Sequence, residues 1–305
     1  MTRCLLCASD GLARVLDGVA DNRLGVPGTW DIRRCAACGL LQIDPVPAPA
    51  DLIGLYAAHY NAGGNEAEWR ARRDRIARSA LYRLWLAIDG DIGFHLARGR
   101  GRLLDVGCNE GRGLARFRAN GFDAEGVEPN PPAAAAARAQ GFRVHDGEIG
   151  DVDPARRFDR IVLANVLEHT PDPRATLMAA RARLAPDGEL WLSLPNADSA
   201  LRPVFGRHWI NWHVPFHLVH FTPRRLGALL AETGFTPIEL RTVTPALWLA
   251  QSVIARLWPG RIERLRRPAL VAPIAAGARA LTFPLLWWWN RRRRGDCIIL
   301  RARAA

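Results

Sequence analysis

A chain of 305 residues with 49% apolar content has the composition of a globular protein, long enough for one large domain with a small one or for two ordinary domains. Its net charge is +12 and all 42 basic residues are arginine. Residues 245–305 hold 12 arginines against 2 acidic groups, giving +10, so the body of the chain is nearly neutral. That distribution argues against a nucleic-acid enzyme, which would more often spread positive charge around its catalytic cleft.

Residues 1–50 carry little periodic pattern but hold two Cys-x-x-Cys pairs, Cys4/Cys7 and Cys35/Cys38, with 27 residues between them. Two such pairs fit a tetrahedral four-thiolate zinc site, and Gly39 eases the second turn. A closed shell of four thiolates keeps no open position, so the zinc is expected to be structural. No charged-then-apolar leader opens the sequence, which gives a cytoplasmic expectation. Asp44–Ala50 is a proline-rich boundary. Residues 51–100 read as a helical extension, charged at Glu66–Arg78 and apolar at Leu81–Ile88.

From residue 101 to 243, strand-like and helix-like runs alternate. Strands are expected at Leu103–Val106, Ala124–Val127, Phe142–Val144, Phe158–Ala164, Glu189–Leu194 and Pro237–Val243. Helices are expected at Gly113–Asn120, 132–140 and Thr222–Thr233. Such alternation specifies an α/β fold with a mostly parallel sheet covered on both faces. Residues 244–294 form an insertion rich in apolar residues, arginine and tryptophan, and Cys297–Ala302, within residues 295–305, supplies a seventh strand. The apolar run Pro268–Trp289 contains three prolines and Arg279, which argues against a membrane-spanning helix. Trp287–Trp289 beside Arg291–Arg294 instead suggests peripheral contact with an anionic membrane, at its inner face for a cytoplasmic protein. The competing reading is a packed cap or dimer surface edged by solvated arginines.

The chemistry concentrates in Leu103-Leu-Asp-Val-Gly-Cys-Asn-Glu-Gly111. A buried strand ends at Asp105. Gly107 and Gly111 let the backbone bend tightly, and the helix that follows aims its first amide groups at whatever binds there. A dinucleotide fingerprint fails, because its third glycine falls on Arg112. Glu128 closes the second strand, where a carboxylate can accept hydrogen bonds from both ribose hydroxyls.

These residues resemble the class I S-adenosylmethionine-dependent methyltransferases. Asp105, Gly107, Asn109 and Gly111 follow the first motif, with Asn109 in place of its middle glycine. Phe158-Asp159, Asn165-Val-Leu-Glu-His169, Leu184-Ala-Pro-Asp-Gly188 and Pro195-Asn196 continue it in order. The resemblance implies a Rossmann-like seven-stranded sheet whose last strand is antiparallel. It implies S-adenosylmethionine held by Asp105, Gly107, Cys108, Asn109 and Gly111 at its methionine part and by Glu128 at the ribose. Asp146, Gly147 and Glu148 would meet the adenine, and Asn165 and Val166 would line the sulfonium side. Glu168-His169 resembles a metal-linked pair of quinone-type enzymes, but Asn165 stands where an acidic residue is expected.

The cysteine pairs, with Arg34, Pro45-x-Pro47 and Tyr56-x-x-x-Tyr60, resemble a subgroup associated with sugar and polysaccharide biosynthesis. The acceptor that this implies is a small molecule or glycan, as a sugar nucleotide or lipid-linked saccharide. Gly206–Thr222 carries His208, His213, His217 and His220 between the fifth strand and the next helix. His217 and His220 are the candidate general bases or acceptor-orienting groups, because methyl transfer to a hydroxyl requires proton removal near neutral pH. Two other functions remain open: an RNA methyltransferase with a zinc-ribbon module, and a donor-binding assembly factor without turnover.

Overall fold

The computed structural model describes residues 2–60, 80–265 and 267–305. The helical reading of Glu66–Arg78 therefore lies outside the described residues. The strands are β1 (Leu12–Val19), β2 (Trp30–Cys35), β3 (Leu41–Asp44), β4 (Arg102–Val106), β5 (Asp123–Glu128), β6 (Val144–Asp146), β7 (Phe158–Ala164), β8 (Leu184–Pro195), β9 (Val219–His220), β10 (Phe235–Val243) and β11 (Cys297–Ala304). The α-helices are α1 (Pro49–Leu55), α2 (Ala80–Asp89), α3 (Arg112–Ala119), α4 (Pro131–Arg138), α5 (Pro173–Arg183), α6 (Leu201–Phe205), α7 (Pro223–Glu232), α8 (Ala246–Leu257) and α9 (Pro268–Arg291).

Two units divide these elements. One gathers residues 91–196, 221–242 and 297–305; the other gathers 1–90, 197–220 and 243–296. The sequence pattern places 197–220 within the alternating α/β core of residues 101–243. Backbone pairing explains the difference: Leu41 pairs with His220 and Gln42 with Val219, so β9 completes the sheet begun by β1–β3.

The α/β unit holds a seven-stranded sheet in the order β10-β11-β8-β7-β4-β5-β6. Strands β4 to β8 pair in parallel, and β11 runs antiparallel to β8. The apolar runs explain the central strands: Leu103, Leu104, Ile161, Val162 and Leu163 are fully buried, as strands covered on both faces require. Three helices start by one device, a polar cap followed by proline. Asn130 Oδ1 accepts from Ala133 N–H, Asp172 Oδ1 from Ala175 N–H and Thr222 Oγ1 from Arg225 N–H, while Pro131, Pro173 and Pro223 need no amide partner. After β4 the chain builds β5 and β6 on one side and then returns to β7 on the other. The crevice at the carboxyl ends of β4 and β7 is therefore the topological switch point, where such sheets bind ligands.

The other unit holds the sheet β1-β2-β3-β9, antiparallel throughout, around buried Val19, Ile32, Leu41 and Ile43. Its insertion folds as two helices. Ala246, Ala250 and Ile254 of α8 form one buried apolar cluster with Val271 and Ala275 of α9. The prolines do not interrupt α9, which runs for 24 residues with Pro273 and Pro284 inside it.

Candidate active site

β4 ends in Asp105-Val106, and the next residues turn back under tight constraint. Gly107, Asn109 and Gly111 all adopt left-handed backbone, with φ of 67°, 49° and 82°. A β-carbon at Gly107 would come within 3.1 Å of Val166 Cγ2, besides straining the backbone. The close approach thus joins the turn after β4 to the residue after β7. Hydrogen bonds tie the turn to β5: Gly107 N–H and Cys108 N–H both donate to the Val127 carbonyl, at 2.8 and 3.3 Å. Asn109, where the family pattern has glycine, takes the left-handed conformation that asparagine tolerates.

Two carboxylates are buried at this turn. Glu128 accepts from Asn109 N–H and from Asn130 N–H, each at 2.9 Å, so its position is fixed by both loop and helix cap. Burial raises its pKa while those two amides act against the rise. Asp105 is pushed up to about 7, by burial first and then by the charge of Glu128. Paired buried acids of like charge are unfavourable unless a cation or proton neutralises them.

Glycines that the motif reading passed over also shape the site. A β-carbon at Gly113 would meet Asp105 Oδ2 at 2.5 Å, so the first turn of α3 must be bare to admit that carboxylate. At Gly126 a β-carbon would clash with Cys108 Sγ. A glycine inside a strand was the available signal. Cys108 itself is buried and its thiol is pushed up by that burial and by Asp105, so it is a packing residue in the turn.

The remaining predicted donor residues lie at the ends of β6 and β7. Asp146 pairs with Glu128 in the strand register, and its carboxylate meets Arg138 at 2.7 Å. Gly147, with φ of 92°, donates to the Glu128 carbonyl, and Glu148 N–H donates to Asp151 Oδ2 at 2.8 Å. Asn165 has φ of 55° and donates its N–H to the Ser193 carbonyl. Its side-chain oxygen is buried with no hydrogen-bond partner among the described residues. Glu168 and His169 follow on a single turn, Glu168 buried and His169 partly so.

His208, His213, His217 and His220 and the two Cys-x-x-Cys pairs belong to the other unit. His217 Nδ1 lies 2.9 Å from the Asn211 carbonyl, and its ring centroid is 4.8 Å from His213 and 6.2 Å from His220. His220 sits edge-on to Trp212 at 4.9 Å, buried on β9, and burial together with Arg202 pushes it down to about 3. Its imidazole is neutral and weakly basic.

The four cysteines converge. Cys4 Sγ is 3.6 Å from Cys38 Sγ, Cys7 Sγ is 3.5 Å from Cys35 Sγ, and all four sulfurs lie within 4.8 Å of one another. Zn–S bonds of about 2.3 Å in a tetrahedron separate sulfurs by about 3.8 Å, so the set fits that ion. The pairs form matching turns. Ala8 N–H donates to the Cys4 carbonyl and Gly39 N–H to the Cys35 carbonyl, with both Ala8 and Gly39 left-handed.

The sequence matches the family described as "Methyltransferase domain" over residues 69–240. The ubiquinone biosynthesis O-methyltransferase of Xanthomonas axonopodis pv. citri is 29% identical over 161 residues, covering 48% of this chain and 66% of that relative. That of Cereibacter sphaeroides is 30% identical over 162 residues, with the same coverage. The match thus spans just under two thirds of the length of these curated relatives. Among solved structures, the Burkholderia thailandensis 1,6-didemethyltoxoflavin-N1-methyltransferase aligns over 92% of this chain and 97% of that one, with 21% identity and a TM-score of 0.48.

Proposed function

Because the chain belongs to the methyltransferase-domain family, we propose that it is an S-adenosylmethionine-dependent methyltransferase acting on a hydroxyl of a small molecule. The observation that carries the reading is the buried pair Asp105 and Glu128 set in a left-handed glycine turn at the switch point. The donor supplies an electrophilic methyl group on a positively charged sulfur. The site suits such a molecule in three respects. Two carboxylates that repel one another accept a cation, the left-handed backbone at Gly107 and Gly111 folds the turn sharply over the end of β4, and Asn165 keeps an unpartnered oxygen at the end of β7.

Each residue then has a part. Asp105 and the turn from Gly107 to Gly111 hold the charged amino-acid end, with Cys108 as filler beneath it. Glu128, already oriented by two amides, accepts from the ribose hydroxyls. Asp146, Gly147 and Glu148 face the base, and Asn165 with Val166 flanks the sulfur. The proton of the acceptor hydroxyl goes to His217. Its Nδ1 donates to the Asn211 carbonyl, which leaves Nε2 as the basic nitrogen. His220 is too weakly basic for that task and serves packing.

A structural zinc at Cys4, Cys7, Cys35 and Cys38 is part of the same proposal, supported by the sulfur distances. As for the acceptor, the names of the curated relatives support a small-molecule hydroxyl, and the cysteine and proline motifs of the amino-terminal region support a saccharide or lipid-linked saccharide. The deciding experiment pairs calorimetric titration with S-adenosylmethionine and a methyl-transfer screen over quinol, phenol and sugar-nucleotide panels. Donor binding lost in Glu128→Ala and turnover on one panel are the expected results. Unchanged affinity in both Glu128→Ala and Gly107→Val would remove the donor site from this turn. Tight donor binding without turnover on any panel, or turnover on RNA alone, would replace the small-molecule reading.

A further inference from the structure

Helix α9 presents an unusual surface. Leu281 is 86% exposed, and Phe283, Leu285, Trp287 and Trp288 are each about half exposed. Leu281, Leu285 and Trp288 recur at helical spacing on one face, and Phe283, Pro284 and Trp287 widen it. No acidic residue occurs between 268 and 295, and the one charged side chain before Arg291 is Arg279. That side chain is tied down at the margin of the exposed face, 5.7 Å from the Phe283 ring. It donates to the Thr244 carbonyl at 3.0 Å and to the Ile88 carbonyl, and it meets Asp89 at 3.6 Å. The exposed face is thus without charge along the helix, far more apolar than scattered surface residues require.

Its ends carry the opposite character. The Arg291 guanidinium lies 4.3 Å over the Trp287 ring and that of Arg292 4.5 Å over Trp288, and Arg291–Arg294 are all exposed. Near the other end, Arg264 lies 4.6 Å over Trp258. Rings stacked under guanidinium groups belong where apolar and aqueous phases meet, because the ring prefers the boundary and the cation prefers the headgroups.

We propose that α9 lies in the plane of an anionic lipid surface, with its exposed face among the acyl chains and Arg291–Arg294 on the headgroups. Charge chooses this occupant over a second copy of the chain. A two-fold contact through this face would set Arg291–Arg294 against the same cluster when the helices run parallel. Run antiparallel, it would set them against Arg261, Arg264 and Arg267. Both arrangements juxtapose like charges. Packing chooses lying over spanning. At 24 residues α9 is long enough to cross a bilayer, but its opposite face is occupied by α8 through Val271 and Ala275, by Asp89 through Arg279, and by Thr244 through Asn290. The helix is open to lipid on one side only. This inference is independent of the methyl-transfer reading.

The full chain is co-sedimented with phosphatidylcholine vesicles, with and without phosphatidylglycerol, at low and at raised salt. Binding is expected on the phosphatidylglycerol vesicles at low salt, weakening as salt screens the charges. Changing Arg291 and Arg292 to serine should lower the partition coefficient about fivefold per arginine. Leu281→Glu should lower it at least about tenfold. Unchanged far-ultraviolet circular dichroism and donor affinity report that the variants fold. Three results overturn the proposal: no binding to anionic vesicles at low salt, equal binding to phosphatidylcholine alone, or full binding by folded Leu281→Glu. A concentration-dependent dimer abolished by Leu281→Glu, without vesicle binding, also overturns it and assigns the face to a second copy.

Discussion

Lowering the pH should weaken donor binding through Asp105. Its carboxyl titrates near 7, where an unperturbed aspartate has 3.8, because burial and then the charge of Glu128 disfavour ionisation. In the free protein the sign is that of a raised acid. The folded chain keeps a proton that the unfolded chain releases near pH 4, so this group's contribution to stability declines as pH climbs from about 4 to about 7. A cation in the turn reverses the preference, since it favours both carboxylates ionised; donor binding therefore expels the proton. About half of Asp105 is ionised at pH 7 and about one tenth at pH 6, so affinity should fall about fivefold over that unit and about tenfold over the next. Calorimetry between about pH 5.5 and 7, in buffers of different ionisation enthalpy, measures both the slope and the proton released, up to about one per donor. Asp105→Asn should flatten the profile. A wild-type affinity independent of pH, or an equal slope in Asp105→Asn, would refute the coupling between this carboxylate and the ligand.

Gly107→Val forces a branched side chain into left-handed backbone against Val166, and donor affinity should fall about tenfold to a hundredfold in the same calorimetry, equivalent to about 1–3 kcal/mol. Glu189 resists its own burial through Trp191, Arg301, Arg303 and Arg160, which together bring it down to about 2. Its contribution is therefore present above about pH 4.5 and disappears as pH falls toward 2. Urea unfolding should show Glu189→Gln less stable by about 3 kcal/mol at neutral pH, with the difference shrinking near pH 3. His217→Ala should slow turnover by about 10²–10⁴ with donor affinity unchanged, and normal turnover would return this histidine to a structural role. Stripping metal with a chelator should release about one zinc per chain and speed hydrogen exchange in β3 and β9, which share backbone hydrogen bonds; exchange confined to the cysteine turns would contradict that coupling.

The turn proposed to hold the donor was legible because its residues are local. Apolar strand, glycine turn and helix follow one another within residues 102–119, and backbone constraints between near neighbours dictate the rest. Short-range ambiguity displaced some boundaries. The third strand, expected at Phe142–Val144, forms at Val144–Asp146, because Phe142 leaves the strand to pack beneath Arg118, whose guanidinium lies 4.4 Å from its ring, and beside Gly111. β8 begins at Leu184 rather than Glu189, since Asp187-Gly188, which reads as a turn, is absorbed in a register shift against β7. Helix α5 has the same cap and proline as its neighbours at Asp172-Pro173, a signal that was present and passed over. The histidine segment was beyond such reading. Its partner strand lies near the amino terminus, and nothing in the local pattern of Leu218–His220 announces pairing with Leu41 and Gln42.

The chain leaves the α/β unit twice, after β8 at Asn196 and after β10 at Thr242, and each time returns to extend it, at Phe221 and at Cys297. The first excursion follows β8 and returns ahead of α7, and the second lies between β10 and β11, so neither interrupts a ladder of the seven-stranded sheet. Such insertions are tolerated because closing a longer loop costs little additional entropy. The excursions join residues 1–90 to make the unit that holds Cys4, Cys7, Cys35 and Cys38, the histidines of Gly206–Thr222 and α9. Every residue proposed to hold the donor lies in the other unit. The hydrogen bonds described for Glu128 go to Asn109 and Asn130, and His217, Cys35 and Leu281 are not among the described partners of Asp105 or Glu128, so donor affinity serves as an internal control for changes at those three. A loss of affinity on changing any of the three would mean that the units are energetically coupled, and the division of labour argued from these residues would have to be given up.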